Sequence, residues 1–319
     1  MIQMEEFSVT ILGSSSASPT SRRNTSAQLV NFYHRFYLID CGEGTQLQLR
    51  RNKIKISKIH HILISHLHGD HFFGLVGLIS SLNLFGRKKD LHIYSDPRIK
   101  EIIDLQLEIS ETTVQFEIIY HPLNFDQKEV IFEDKKLIIT SFPLLHRVPT
   151  CGFTFQEKKS LPNIKKSFVN KYKPEIDEIH KIRSGGGFIA KDGENIHHDS
   201  IVKPAPEPRS FAYCSDTKYF DGLAENFKNV ELLYSECTFM KDFQKVAEDK
   251  FHMTTEDAAR LAKESQAKKL IAGHFSARYK DISELQAELL SMCPNSQVVN
   301  DNQSFHVRDE EWSIKKATQ

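Results

Sequence analysis

At 319 residues the chain can bury a large core and sits near the upper limit of a single domain, so one large domain with an insertion and two smaller domains both fit. Lysine plus arginine balances aspartate plus glutamate, 42 against 42, which excludes a globally basic nucleic-acid binder and leaves only a local patch for such a partner. The cysteines, Cys41, Cys151, Cys214, Cys237 and Cys293, form no Cys-x-x-Cys pair, residues 1–7 hold no basic-then-apolar leader, and no run approaches the roughly 18 apolar residues of a membrane span, so the expectation is a soluble protein of the reducing cytoplasm.

Residues 7–12 alternate apolar and polar side chains (Phe7, Val9, Ile11), the pattern of a half-buried strand, and end at Gly13 in a serine-rich turn. A loop from Ser18 to Ser26 leads into a predicted hairpin, residues 28–32 and 35–39. Its second strand runs into Asp40-Cys41-Gly42-Glu43-Gly44, where glycines permit a sharp turn into a helix and leave the Asp40 carboxylate at a strand end. Residues 59–64 form the next strand, which stops at Ser65-His66-Leu67-His68-Gly69-Asp70-His71 ahead of an apolar helical run over 72–85. Three histidines and a carboxylate at the end of a rigid strand offer the ligands that zinc takes from proteins. His66 and His68 project to the same side of an extended chain and can grip one ion; Asp70 and His71, beyond Gly69, can face a second position.

Residues 91–94, 114–120 and 136–141 read as strands, and Pro97 opens a helix with Ile99, Ile102, Ile103 and Leu107 on one face. This alternation predicts a layered α/β protein. From 157 to 200 the character changes. Lys158, Lys159, Lys165, Lys166, Lys171, Lys173, Lys181 and Arg183 stand against only Glu175, Asp177 and Glu178, net +5 in a neutral chain, which predicts an inserted flexible arm that grips phosphates. The organisation expected is therefore 1–156 and 201–319 as two parts of one domain around the arm.

Beyond the arm, residues 210–214 and 230–235 read as strands, and Thr254-Thr255-Glu256-Asp257 caps a helix carrying Ala258, Leu261 and Ala262. A strand over 270–273, a helix over 282–290 and closing strands at 298–299 and 305–307 follow. Four ligands on one loop cannot fill two ions, and His146, Asp216 and His274 each follow an apolar strand, the same structural place from which to complete the set. For catalysis, Asp70 is at once ligand and proton acceptor. His252, just before a capped helix, is the candidate acid for a leaving oxygen, and Glu236 is the carboxylate that could fix its tautomer.

His66-Leu67-His68-Gly69-Asp70-His71 is the signature of the metallo-β-lactamase superfamily, and the surrounding residues resemble its ribonuclease Z branch. The matching segments are Arg23-Asn24-Thr25-Ser26, Gly42-Glu43-Gly44-Thr45-Gln46, Glu236 and Thr238 of Ser235-Glu236-Cys237-Thr238, and His274-Phe275-Ser276-Ala277-Arg278-Tyr279. The chain departs at Ser235, where the family usually has histidine, and at Ser184-Gly185-Gly186-Gly187-Phe188, where the arm tip usually contains Gly-Pro. The resemblance implies an αββα sandwich of two mixed sheets flanked by helices with a protruding basic arm, and two Zn²⁺ per subunit. It implies His66, His68 and His146 on one ion, Asp70, His71 and His274 on the other, Asp216 bridging both, and Asp40 orienting a ligand histidine. It also implies a homodimer that removes the 3′ trailer from precursor tRNA, leaving a 3′-hydroxyl and a trailer 5′-phosphate. Two other readings compete: another hydrolase of this fold acting on a thioester, a lactam or a small phosphodiester, and a non-enzymatic RNA-binding zinc protein.

Overall fold

Two mixed sheets organise the chain in the computed structural model, which describes residues 7–308 and the backbone of 315–316; the acidic start, 1–6, lies outside the described residues. The first sheet runs, in spatial order, 315–316, Gln303–His306, Phe7–Gly13, Ala27–Phe32, Arg35–Ile39, Ile59–Leu63, Leu91–Ser95 and Ile118–Pro122. It is antiparallel as far as Arg35–Ile39 and parallel from there on. The second sheet runs Ser296–Val298, Lys269–Gly273, Leu232–Glu236 and Ser210–Cys214, all parallel, then Thr150–Glu157, Leu137–Leu144 and Glu129–Glu133.

Helices Thr45–Arg51, Leu75–Leu84 and Arg98–Ile109 bury Leu49, Leu78, Ile79 and Ile103 in one cluster with Leu38, Ile62 and Ile93 of the first sheet. Helices Thr255–Glu264 and Ser283–Met292 do the same for the second sheet, with Leu261 and Leu289 clustered with Ala212, Leu233 and Leu270. Between the sheets lies an aromatic layer: the Tyr37 ring sits 5.8 Å from Phe155, Phe155 lies 6.0 Å from Phe211, and Phe153 stacks on Tyr213. Each such side chain, fully buried, is worth about 1.5–3 kcal/mol of transfer free energy, so the four layers are held by area. The arrangement is the αββα sandwich. Among the described residues no helix is long and apolar enough to cross a membrane.

Several elements differ from the sequence pattern. The strand expected over 114–120 begins only at Ile118, and the helical run after His71 is a single turn, Gly69–Phe72, followed by Leu75–Leu84. Gly69 needs no unusual backbone; its place is close-packed, because a Cβ there would run into the Phe73 ring. Strands Glu129–Glu133 and Thr150–Glu157 and helix Gln244–Lys250 were not anticipated.

The chain divides into two compact units, one of residues 1–132, 139–155 and 209–319, the other of 133–138 and 156–208. The second unit holds helices Lys166–Tyr172 and Ile176–Arg183. Phe168, Ile182, Phe188, Ala190, Ile201 and Val202 form a small core of its own. The apolar spacing of Ile176, Ile179 and Ile182 is helical, and the surrounding lysines mask it in a reading by composition.

Candidate metal centre

Parallel pairing puts the ends of several strands side by side. Cys214 pairs with Ser235 and Ser235 with Ala272, so Asp216, Glu236 and His274 emerge at one edge of the second sheet. In the first sheet Ile39 pairs with Leu63, which sets Asp40 beside the histidine loop. Ligands of open α/β sheets gather outside such carboxyl ends. The two loops are zipped together, with Cys41 N–H donating to the His71 carbonyl at 2.7 Å and Gly74 N–H to the Cys41 carbonyl at 2.9 Å. A Cβ on Gly42 would strike the Asp70 carbonyl, which explains the glycine at this position.

The seven residues singled out in the sequence converge. The ligand atoms of His66, His68, His146 and Asp216 lie within 4.8 Å of one another, and so do those of Asp70, His71 and His274. His66 Nε2 and His146 Nε2 each stand 3.1 Å from His68 Nδ1, and His71 Nε2 stands 3.3 Å from His274 Nε2. Asp216 faces both groups. Its Oδ1 is 3.3 Å from His274 Nε2 and 3.5 Å from His71 Nε2, while its Oδ2 is 3.8 Å from His66 Nε2 and 4.0 Å from His146 Nε2.

Three of the rings are anchored on their far side. His71 Nδ1–H donates to Asp40 Oδ2 at 2.8 Å, His146 Nδ1–H to the Phe251 carbonyl at 2.9 Å, and His274 Nδ1–H to Thr238 Oγ1 at 3.1 Å. Each anchor fixes the tautomer and turns the Nε2 lone pair inward, as metal ligation requires. Asp40 itself is buried and accepts four hydrogen bonds, from Ser65 N–H (2.7 Å), Ser65 Oγ (3.0 Å), Tyr213 Oη (2.6 Å) and His71. Asp70 Oδ2 accepts from Ala17 N–H at 2.7 Å. Ala17, Asp40, Phe251 and His274 all adopt left-handed backbone, φ 61°, 56°, 59° and 62°, in a region that non-glycine residues seldom occupy.

Electrostatics agree with a cation site. Burial drives His66 well below the ordinary imidazole value and His146 down to about 4, so both rings stay neutral donors of a lone pair. Burial opposes ionisation of Asp216, but His274 and His71 beside it hold the carboxyl well below its usual range. Asp216 Oδ1 is buried without a hydrogen-bond donor, an orphaned acceptor of the kind a cation satisfies. Nitrogen lone pairs crowded around two carboxylates suit a metal ion, and the donor set, imidazole and carboxylate without thiolate, matches zinc.

His252 lies beside this cluster in a different state. Its Nδ1–H donates to Glu236 Oε1 at 2.9 Å, which leaves Nε2 free although Nδ1 is also 3.9 Å from Asp216 Oδ2. Burial alone would lower its pKa, but the Glu236 carboxylate outweighs that and raises it to about 9. Glu236 is fully buried and accepts three further hydrogen bonds, from Thr217 N–H and Thr238 N–H at 3.1 Å each and from Thr238 Oγ1 at 2.7 Å.

Two family descriptions match the sequence: Anti-Pycsar protein Apyc1 over residues 7–161, and the beta-lactamase superfamily domain over residues 201–275. A curated ribonuclease Z from Bacteroides fragilis is 40% identical over 299 residues, covering 94% of this chain and 98% of its own. The chain belongs to the ribonuclease Z family. The crystal structure of human tRNase Z, short form, is similar at TM-score 0.69 and 25% identity, with 95% of this chain and 100% of that one covered. Zinc-bound PqqB from Methylobacterium extorquens, 15% identical at TM-score 0.61 over 93% of this chain and 99% of its own, shares the fold.

Within this chain, Ser235 is buried and its hydroxyl donates to the Glu236 carbonyl, so the departure from the family's histidine leaves the Glu236 carboxylate undisturbed. The eight basic residues of the arm divide in two. Lys158 pairs with Glu133, Lys165 Nζ donates to the Ser200 carbonyl at 2.7 Å, and Arg183 Nε to the Pro162 carbonyl at 3.0 Å, so these three help hold their own unit together. Lys159, Lys166, Lys171, Lys173 and Lys181 are exposed. Sequence reasoning missed the hydroxyls of Ser65, Tyr213 and Thr238 as supports; only Thr238 had carried a signal, two residues after Glu236 in the family-like segment.

Proposed function

We propose that the chain is a zinc-dependent endoribonuclease of the cytoplasm that removes the 3′ trailer from precursor tRNA, leaving a tRNA 3′-hydroxyl and a trailer 5′-phosphate. The observation that carries this reading is the two-faced Asp216 carboxylate between two histidine groups, with a hydrogen-bonded His252–Glu236 pair alongside. A site for paired cations next to a proton donor is what displacement of a ribose oxygen from phosphorus requires.

His66, His68 and His146 would hold one ion, Asp70, His71 and His274 the other, and Asp216 both. Two zinc ions bound there would supply a water acidified toward neutrality and positive charge on the oxygens of an in-line displacement. The chain's own residues do the rest. Asp70, kept in place by the Ala17 N–H, takes the proton of the attacking water. Glu236 fixes His252 so that Nε2 delivers a proton to the departing ribose 3′ oxygen. Burial of His66, His71 and Asp216 leaves bulk water little access to this machinery. The exposed arm lysines take up phosphates by charge and duplex shape, in a homodimer where one copy's arm serves the other's site.

Mapping the cut on one precursor tRNA tests the reading. The expected result is a single cut at the trailer junction with a 5′-phosphate on the trailer, abolished by chelator and restored by zinc. A cut elsewhere, or one indifferent to chelator, overturns it, and a monomer by light scattering removes the homodimer.

A further inference from the structure

Beside the metal cluster, and sharing His146 as a wall, is an open cavity of about 660 Å³. That is within the size of small-ligand sites, which run from roughly 300 to 1,000 Å³. One wall comes from the loop that follows strand Ile118–Pro122 of the first sheet; the other is the loop between Leu137–Leu144 and Thr150–Glu157 of the second. Its apolar surface includes Leu123, Phe125 and Pro149. Phe125 is half-buried, so its ring is held in place while still open to a partner.

The polar groups are sorted. Glu129 Oε1 is occupied by the Asn124 backbone N–H at 2.9 Å, and Asn124 Oδ1 accepts from the Asp126 N–H at 2.8 Å, so the loop braces itself and leaves the Asn124 amide nitrogen to donate outward. Arg147, adjacent in sequence to the ligand His146, is exposed and makes no hydrogen bond or ion pair with a described residue. An aromatic ring, a free guanidinium next to the ligand histidine, an amide donor and two acids, Asp126 exposed at the rim and Glu129 braced against its own loop, suit a single nucleoside with one phosphate. Asp126 disfavours a second phosphate and can accept from a base amino group or a ribose hydroxyl.

We propose that this cavity holds the first nucleotide of the trailer, its base on Phe125 and its 5′-phosphate between Arg147 and the metal cluster. The side follows from the proton donor: the cavity is lined by His146 but by neither His252 nor Glu236, the pair that serves the tRNA's departing 3′ oxygen. The nucleotide on the other side of the scissile phosphate is the trailer's. The assignment rests on the trailer-cleaving reading above.

Two measurements test it. In calorimetry on the zinc-loaded protein, adenosine 5′-monophosphate binds about tenfold more tightly than inorganic phosphate, the effect of one stacked base; Phe125→Ala removes most of that advantage, whereas Arg147→Ala weakens both ligands alike and leaves the ratio in place. In cleavage assays, an abasic first trailer position lowers kcat/KM about tenfold for the wild type but less than about twofold for Phe125→Ala. Equal losses in both proteins, coupling only to an abasic last tRNA nucleotide, or equal affinity for the two phosphates overturns the proposal. If the wild type cuts no precursor, the cleavage reading itself falls, while the calorimetry still decides whether the cavity takes a nucleotide.

Discussion

Around the metal cluster almost every polar atom has a fixed partner: Asp40 accepts four hydrogen bonds, Glu236 another four, and the inward nitrogens of His71, His146 and His274 are aimed by what their outward nitrogens touch. In the unit of 133–138 and 156–208 Lys158, Lys165 and Arg183 are tied within the unit, but Lys159, Lys166, Lys171, Lys173 and Lys181 stand exposed. Six buried apolar side chains support lysines whose ammonium groups are exposed. Chemistry at phosphorus needs atoms held to within about 0.5 Å, whereas attraction to a phosphate backbone needs only charge within reach. Substitutions in the first region should therefore act through geometry, whatever the salt, and in the second through charge, with salt deciding the size of the effect.

That contrast can be broken at four points, in falling order of effect. Asp216→Ala should lower cleavage of precursor tRNA by about 10⁴-fold and strip metal from the protein at every salt concentration; unchanged zinc content by elemental analysis would end the bridging assignment. His252→Ala should cost about 10³-fold on RNA but less than about tenfold on a nitrophenyl phosphodiester, whose leaving group needs no proton. Equal slowing of the two substrates would remove its role as acid. Alanine at Lys159, Lys166, Lys171, Lys173 and Lys181 together should raise KM for precursor tRNA about 10²-fold near physiological salt, flatten its salt dependence and spare the small diester. If both substrates suffer alike, the arm is structural. Smallest of all, Tyr213→Phe keeps the ring and removes one donor to Asp40, so zinc affinity in chelator competition should fall only about fivefold, the worth of one hydrogen bond. No change would mean that Ser65 and His71 satisfy Asp40 without it.

The strand-end positions of His66, His146, Asp216 and His274 were legible in the sequence because a polar ligand immediately after an apolar run is conspicuous. Asp40 could be found for the same reason. Tyr213 could not. It reads as one more apolar residue of the strand Ser210–Cys214, and only the meeting of the two sheets brings its hydroxyl to Asp40. Ser65 was hidden by its neighbours, a small residue before a louder motif whose hydroxyl matters only because Arg35–Ile39 and Ile59–Leu63 lie in register. The helices of the arm escaped notice because each spans only seven or eight residues, too few for a period to stand out among lysines. That residues 133–138 join that unit follows from chain packing, which no local pattern encodes.

The left-handed conformations of Ala17, Asp40, Phe251 and His274 have a thermodynamic consequence. Such bends cost about 1–2 kcal/mol apiece, and here they fall on residues that aim or supply the ligands. Folding has thus wound tension into its own reactive seam. Cations that bind only the folded chain repay that tension by mass action. The seam should consequently be the first part to loosen on heating in chelator, and the part most firmly stitched when zinc returns.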